Sequence, residues 1–528
     1  MGRKRTGFNS GVLLGGVALL MSLSLQADVK MPAIFGKGMV LQRERPVPVW
    51  GWAAPGEAVT VTFAGKTANA VAGADGSWRL RLDPMPASAE GRAMTVKGTN
   101  GLTFDNVVVG EVWLCSGQSN MEWVVNSSAN AKEEIAASAN PLIRHVKISH
   151  VHLPKPSSNV RASGWQQASP RTTGGFTAVG YFFGRSLFKE LNVPIGLIGS
   201  NWGGTRIEPW TPPCGFRKIP ELKSLADRVD SWYSETPVGR QAHLDVIAKL
   251  KEWIPNAEAA LSQNRATPEI PAFPIPGSSH QEATKIYNGM IHGLVPFALR
   301  GAIWYQGESN GGESLSYFHK TQALVEGWRE IWGQGDLPYY LVQLANYTGD
   351  RRDPKGGDGY ARIRDAQRKC LEIKNVGMAV IIDIGEARDI HPKNKQDVGK
   401  RLALWALAKD YGKDVVFSGP LYRKSTVEGS KIRVSFDSIG SGLIVGKKDG
   451  LAPVVEVSDG KLERFAIAGA DKVWQWGDAV IDGQTVVVSS PKVAVPVAVR
   501  YAYSANPVGC NLYNREGLPA SPFRTDSW

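Results

Sequence analysis

One stretch, residues 110–123 with the sequence GEVWLCSGQSNMEW, constrains this chain more than any other. The apolar, β-branched residues at 107–109 and 112–114 predict a buried strand that ends in a sharp turn at Ser116 and Gly117. Ser119 follows at the carboxyl end of that strand, where α/β sheets bind their ligands. A serine becomes a nucleophile only beside a base and an oxyanion site, whereas a serine at a helix start can simply cap the helix. At this point both interpretations are open.

Composition indicates a globular protein with several cores. The chain has 528 residues, of which 43% are hydrophobic and 21% charged, and a chain of this length divides into about two to four domains. The formal net charge of +12 suits an anionic partner, although general solubility is the simpler explanation. No Lys/Arg tract interleaved with aromatic residues is present, so nucleic-acid binding is not expected.

Residues 1–27 are predicted to be a signal peptide. Basic residues at 3–5 precede an apolar run at 12–25, and Ala27 is a small residue suited to cleavage. The mature protein is therefore expected to begin near Asp28 and to be exported, to the periplasm or beyond the cell. The apolar run is short for a spanning helix, and no lipid-anchor cysteine follows it, so no membrane anchor is expected. Four widely scattered cysteines do not predict a disulfide scaffold.

The periodicity of the remaining chain predicts five segments. Alternating apolar and polar residues indicate short strands at both ends, strand–helix alternation indicates a parallel sheet covered on both faces, and amphipathic helices interrupt that rhythm. The segments are an N-terminal β-domain at 28–105, a central α/β domain in two parts at 106–215 and 281–417, a mainly helical insertion at 216–280, and a C-terminal β-sandwich at 418–528.

Further candidate site residues follow the other predicted strands. His391 follows a strand that ends near Asp383 and is the candidate general base, or alternatively a surface or packing histidine. Asn201 and Gly204 follow a second strand, and paired glycines either expose backbone N–H groups to an oxyanion or simply make a turn. Gln306 and Asn310, behind a third strand, are amides that are able to donate to the same oxyanion. No metal-binding spacing is present, since His150 and His152 alone are weak evidence.

Four motifs in order resemble those of the sialate O-acetylesterase family, which belongs to the SGNH hydrolases. They are GQSNM at 117–121, NWGGTRIEPW at 201–210, WYQGESN at 304–310 and DIHP at 389–392, with MVLQ at 39–42 and VWGW at 49–52 in front. The resemblance implies a three-layer α/β/α hydrolase domain and a serine esterase mechanism without cofactor. It implies Ser119 as nucleophile and His391 as base. The implied oxyanion donors are the Ser119 N–H, Gly204 and Gln306, with Asn201 and Asn310 as further substrate-binding residues.

The triad acid departs from the usual pattern. SGNH enzymes place it three residues before the histidine, where this chain has Arg388. Asp389 is the preferred candidate, although it reaches the His391 ring only if the loop turns tightly at Ile390. Glu308, which arrives from another strand end, is the alternative or joint partner.

The predicted activity is that of a carbohydrate O-acetylesterase, a carboxylic ester hydrolase. Because of the family resemblance and the positive charge, the expected substrate is 9-O-acetylated sialic acid. An acetyl esterase acting on plant polysaccharide, xylan or xyloglucan, is the alternative, and a non-catalytic glycan-binding protein is a further one.

Overall fold

A long strand in the first quarter of the chain joins two sheets. The computed structural model describes residues 28–528, so the predicted signal peptide lies outside the described residues. Strands β1 to β7 are Val40–Gln42, Val47–Trp52, Ala58–Phe63, Lys66–Val71, Ser77–Leu82, Ser88–Lys97 and Gly101–Gly117. The first part of β7 pairs antiparallel with β6, which also pairs with β3, and its middle pairs parallel with β1. Strands β2 and β5 form a separate antiparallel pair.

The second part of β7 is the centre of a parallel sheet. Strands β8 to β13 are Asn140–Lys147, Gln166–Ala168, Ile195–Asn201, Gly301–Tyr305, Tyr339–Gln343 and Val376–Val380. Their order is β13-β12-β11-β7-β10-β8-β9, and every pair on this path is parallel except β8 with β9. From Val107 onward β7 is buried throughout, as expected for a strand with neighbours on both edges. The predicted boundary between residues 105 and 106 lies inside this one strand.

The strand ends that form the site lie in register. Gly117 at the end of β7 is paired with Asn201 of β10 on one side and with Tyr305 of β11 on the other. The loops that follow these three strands therefore begin side by side at one edge of the sheet.

Nine α-helices surround or extend the sheet within residues 28–528. Helices α1 to α9 are Ser119–Glu122, Ala131–Ala136, Ala178–Leu191, Pro213–Arg217, Lys223–Ser231, Pro237–Ser262, Leu315–Trp332, Gly359–Lys369 and Lys395–Lys409. Helix α3 packs on β10 and on α9, and α9 packs on β12 and β13. Gly399 permits the close approach of α3 and α9, since a Cβ there would lie 2.6 Å from the Phe183 backbone nitrogen. The mixed α/β class predicted from the sequence is confirmed.

The segment predicted as an insertion contains α5 and α6, followed by irregular chain at 263–280. Helix α5 places Ala226 and Val229 in a small hydrophobic cluster with Phe216 and Leu222. Helix α6 packs on α5 and is mostly exposed, so it adds more surface than core.

The C-terminal part is built from strands alone. Strands β14 to β24 are Leu421–Glu428, Lys431–Asp437, Leu443–Lys447, Val455–Glu456, Phe465–Gly469, Trp474–Trp476, Asp478–Asp482, Thr485–Ser489, Pro496–Tyr501, Leu512–Asn514 and Phe523–Arg524. They form three antiparallel sheets around a hydrophobic core of their own. Among residues 28–528 no helix is long and apolar enough to cross a bilayer, and all four cysteines are free thiols.

Candidate active site

Gly117 lets the chain turn between β7 and Ser119. Its φ of 135° lies in the region that favours glycine, and a Cβ at this position would lie 2.2 Å from the Tyr305 carbonyl oxygen. Gln118 then donates its N–H to the same carbonyl. Ser119 is therefore the first residue of the one-turn helix α1 and lies half-buried at the edge of the sheet.

The Ser119 hydroxyl faces a histidine from a distant part of the chain. The distance between Ser119 Oγ and His391 Nε2 is 2.8 Å. His391 lies in the loop between β13 and α9 and is partly exposed. The residue in the helix-capping position is Gln118, and no side chain caps α1. Ser119 is thus not a capping residue, and its contact has the geometry of a nucleophile and its base.

Asp389 folds back toward His391 because the chain turns tightly at Ile390. Its Oδ1 accepts the backbone N–H of His391 at 2.9 Å and lies 3.5 Å from His391 Nδ1. Its other oxygen accepts from the Lys393 ammonium at 2.6 Å. Lys393 and the His391 N–H lower the pKa of Asp389. The aspartate is therefore ionised beside the imidazole.

Glu308 has a different set of neighbours. Its Oε1 accepts from Asn120 Nδ2 at 2.6 Å, and its Oε2 is buried without a hydrogen-bond partner among the described residues. Burial raises the pKa of Glu308. The two acid candidates thus contact different groups: Asp389 lies beside the His391 ring, and Glu308 accepts from Asn120.

The glycine pair lies directly against the serine. A Cβ on Gly203 would lie 3.2 Å from Ser119 Cβ, but the Gly203 N–H is already donated to Glu122 Oε2 at 2.8 Å. The N–H groups of Ser119 and Gly204 have no acceptor within residues 28–528. Of the backbone donors here, these two are available to an oxyanion.

The side-chain amides proposed as oxyanion or substrate-binding groups are instead engaged within the protein. Gln306 is fully buried and donates to the Thr205 carbonyl and to Asn310 Oδ1. Asn310 donates to Glu208 and Glu313. Both hydrogens of each amide are therefore used.

Asn201 is also buried. Its Nδ2 donates to the Cys115 carbonyl and its Oδ1 accepts from Lys147. These three amides tie the strand-end loops together.

Two residues that sequence reasoning missed hold the glycine loop. Glu122, on α1 three residues after Ser119, accepts from Gly203, Lys147 and His150. Gln281, just after the insertion, donates to the Gly204 carbonyl at 2.9 Å and accepts the Arg206 N–H at 3.0 Å. Glu122 follows the serine motif directly, which is a detectable signal, whereas nothing in the local sequence marks Gln281.

The surroundings of His391 favour its neutral form. Burial and the nearby Lys395 lower its pKa, and Asp389 opposes them only partly. A neutral imidazole is the form that accepts a proton from serine.

His150 and His152 take part in packing near the site. The His150 ring stacks on Trp202 with centroids 4.4 Å apart. Within the described part of the chain, no group of three or more His, Cys, Asp or Glu side chains is placed to hold a metal ion.

Comparison with known proteins connects this geometry to a family. A sequence model described as "Carbohydrate esterase, sialic acid-specific acetylesterase" matches residues 275–408. Human sialate O-acetylesterase is 30% identical over 568 aligned positions, covering 97% of this chain and 96% of the human protein. The chain belongs to the sialate O-acetylesterase family. The mouse sialate O-acetylesterase is 29% identical, with 97% of this chain and 98% of that protein covered.

A solved structure supports the same assignment for this sialate O-acetylesterase family member. A carbohydrate acetylesterase from Xanthomonas citri is 36% identical and superposes with a TM-score of 0.78, covering 95% of this chain and all of that one. The protein is a carbohydrate O-acetylesterase, and the resemblance identified from the motifs is confirmed.

Proposed function

We propose that this esterase is exported and removes O-acetyl groups from sialic acid, with 9-O-acetylated sialic acid as substrate. The observation that carries the mechanism is the 2.8 Å contact between Ser119 Oγ and His391 Nε2. Export rests on the leader pattern at residues 1–27. A cleavage site found before Asp28 in protein recovered outside the cytoplasm supports export, and an intact leader on a cytoplasmic protein contradicts it.

In the proposed mechanism Ser119 Oγ attacks the acetyl carbonyl carbon while His391 Nε2 takes the hydroxyl proton. The negative charge that develops on the carbonyl oxygen is stabilised by the N–H groups of Ser119 and Gly204. The tetrahedral intermediate collapses, the sugar oxygen leaves with the proton from His391, and acetyl remains on Ser119. Water, deprotonated by His391, then releases acetate and restores the serine.

Asp389 is assigned as the acid of this triad. Its carboxylate lies beside His391 Nδ1 and fixes the loop through the His391 N–H. In the proposed mechanism the 3.5 Å separation shortens to a hydrogen bond when the imidazolium forms, because the two groups then carry opposite charges.

The proposed fold is a three-layer SGNH domain flanked by β-sandwich-like domains at 28–105 and 418–528. The parallel sheet centred on β7, with α3 and α9 packed against it, supports this arrangement. The register of Gly117 with Asn201 and Tyr305 supports the position of the site at the carboxyl ends of the strands.

The sialate assignment is supported by the two curated relatives, both named sialate O-acetylesterase, which align over nearly their whole length. Sialic acid carries a carboxylate and needs a cation in the pocket. Arg388 precedes Asp389, is exposed, and forms no ion pair with any residue in 28–528. We assign it to the substrate carboxylate.

Two experiments test the proposal. Ser119→Ala is compared with the wild type on an aryl acetate, and equal acetate release by two folded proteins contradicts the serine mechanism. Acetate release is also measured from acetylated mucin and from acetylated xyloglucan. Activity on xyloglucan alone contradicts the sialate assignment and supports the plant-polysaccharide alternative.

Arg388→Ala tests the contact with the substrate carboxylate independently of the catalytic steps. It is expected to raise KM for 9-O-acetylated sialic acid by about tenfold, the loss of one charged contact, while kcat/KM for a neutral aryl acetate stays unchanged. An equal effect on both substrates contradicts the assignment of Arg388.

A further inference from the structure

A lysine is completely buried beside Asn120, the residue that follows Ser119. Lys395 is the first residue of α9, and its side chain has no exposed surface. Its Nζ lies 5.3 Å from the centre of the Tyr305 ring and 5.7 Å from that of Trp123, and it donates to Asn120 Oδ1. A buried cation at the amino end of a helix is doubly unfavourable, since it is desolvated and faces the positive end of the helix dipole. Such a residue persists where it does something that an apolar side chain does not.

The acceptor of this hydrogen bond links both halves of the site. Asn120 is buried next to Ser119, and its Nδ2 donates to Glu308 Oε1 at 2.6 Å and to the Ile390 carbonyl at 3.0 Å. Ile390 immediately precedes His391. Lys395 orients the Asn120 side chain by donating to its oxygen. The Asn120 amide thus connects the segment that carries Ser119 to the segment that carries His391.

We propose that Lys395 is a positioning residue of the esterase: it orients Asn120, which holds the Ile390 backbone and so His391 against Ser119, and its ammonium opposes protonation of the imidazole. This inference rests on the proposed roles of Ser119 and His391. Neither the sequence motifs nor the catalytic steps above assign a role to Lys395.

The charges around His391 agree with this role. Asp389 and Lys393 face it from its own loop and Lys395 from α9, while the α1 side contributes the neutral Ser119. Lys395 is a principal cause, after burial, of the lowered pKa of His391. Burial lowers the pKa of Lys395 itself to about 7, and Glu308 acts in the opposite direction and favours the charged form.

The experiment compares two substitutions that remove different properties. Lys395→Met removes the donor and the charge at nearly constant length. Lys395→Gln removes the charge and keeps a donor for Asn120 Oδ1. Lys400→Met, on the exposed side of the same helix, is the matched control. Each is assayed for kcat and kcat/KM on an aryl acetate from pH 4.5 to about pH 9.

We expect Lys395→Met to lower kcat at least about tenfold, because the base is no longer held in place, and to move the acid limb of kcat/KM to higher pH. Lys395→Gln is expected to move the acid limb in the same direction with a smaller loss of kcat. Lys400→Met is expected to match the wild type. A merely structural role for Lys395 would lower the yield of folded protein without moving the acid limb.

Wild-type kcat and an unmoved acid limb in Lys395→Met overturn the inference. If that variant does not fold, Lys395→Gln decides, and an acid limb at the wild-type position overturns the inference. Ser119→Ala is run in parallel. If Ser119→Ala is active, the proposed serine mechanism is wrong. If Ser119→Ala is inactive but the Lys395 variants behave like the wild type, only the inference about Lys395 is wrong.

Discussion

The indole of Trp123 stacks on the imidazole of His391, with ring centroids 4.9 Å apart and planes inclined by 16°. Trp123 follows α1 and is itself fixed by the hydrogen bond from its Nε1 to the Ser127 carbonyl at 2.8 Å. The segment that carries Ser119 therefore also supplies the surface against which the base lies. One short stretch of chain thus carries Ser119 and also supports the His391 ring.

Replacing the Trp123 ring is expected to lower kcat. Trp123→Leu should reduce kcat on an aryl acetate by about tenfold, because the imidazole gains rotational freedom when the stacked ring is removed. Trp123→Phe keeps an aromatic face and should retain most of the activity. Equal kcat for the leucine and wild-type enzymes would show that the stacking does not orient His391.

Amide substitution separates the two acid candidates. Asp389→Asn should lose at least about 10² in kcat, since the group that stabilises the imidazolium is neutralised. Glu308→Gln should retain most activity at pH 8, because a glutamine oxygen still accepts from Asn120. The measurement is kcat on the same acetate ester, with folding checked by thermal unfolding. The reverse ranking would assign the acid role to Glu308.

The pH dependence follows from the lowered pKa of His391. Burial, and then Lys395, hold this pKa below its ordinary value of 6.5. As pH falls through the His391 pKa, the imidazole becomes protonated and no longer accepts the serine proton, so kcat/KM should fall on the acid side of that value. A pH profile of kcat/KM tests this. An acid limb centred at or above pH 6.5 would contradict it.

The loop that carries Gly204 depends on a residue beyond the insertion. Gln281→Ala removes the hydrogen bonds to the Gly204 carbonyl and the Arg206 N–H, so kcat should fall by about tenfold as the oxyanion donor loses its position. Gln263→Ala, in the exposed part of the insertion, is the control. KM for an aryl acetate should change little. A rise in KM alone would place Gln281 in substrate binding instead.

Stability depends on a buried carboxylate in β7. Glu111 has no exposed surface and accepts from Gln42, Arg43 and Arg300. Glu111→Gln leaves the two guanidinium groups with only the exposed Glu44 as a charged partner, 3.5 Å from Arg43 and 3.6 Å from Arg300. It should lower the free energy of unfolding by about 3–5 kcal/mol, measured by denaturant titration. Glu90→Gln, on the surface, is the control. A change as small as that of the control would contradict this role.

The same carboxylate makes stability depend on pH in acid. Burial opposes its ionisation, but Arg300 and Arg43 lower the pKa of Glu111 below its ordinary 4.5. A depressed folded-state pKa gives stability that is present above the unfolded pKa and is lost as pH falls through the folded one. In Glu111→Gln this part of the acid dependence of stability should disappear.

The sequence by itself identified the family, and it predicted the nucleophile segment and the base. The run at 107–114 predicts burial because its residues are apolar and β-branched, and Ser119 and His391 both follow such strands. The carboxyl ends of parallel strands meet at one edge, which explains why two residues 272 positions apart were expected together. The preference for Asp389 likewise depended on a local turn, which its neighbours in sequence can produce.

Only the tertiary structure decided which partners the polar groups at the strand ends have. Gln306 and Asn310 have the right chemistry for an oxyanion site, but their hydrogens are donated to groups such as Thr205 and Glu208, which lie about 100 positions away. Lys395 and Gln281 carry no local signal for the same reason. Periodicity and turn residues encode burial and chain direction, whereas hydrogen-bond partners depend on the register of strands and loops that meet only in the folded protein.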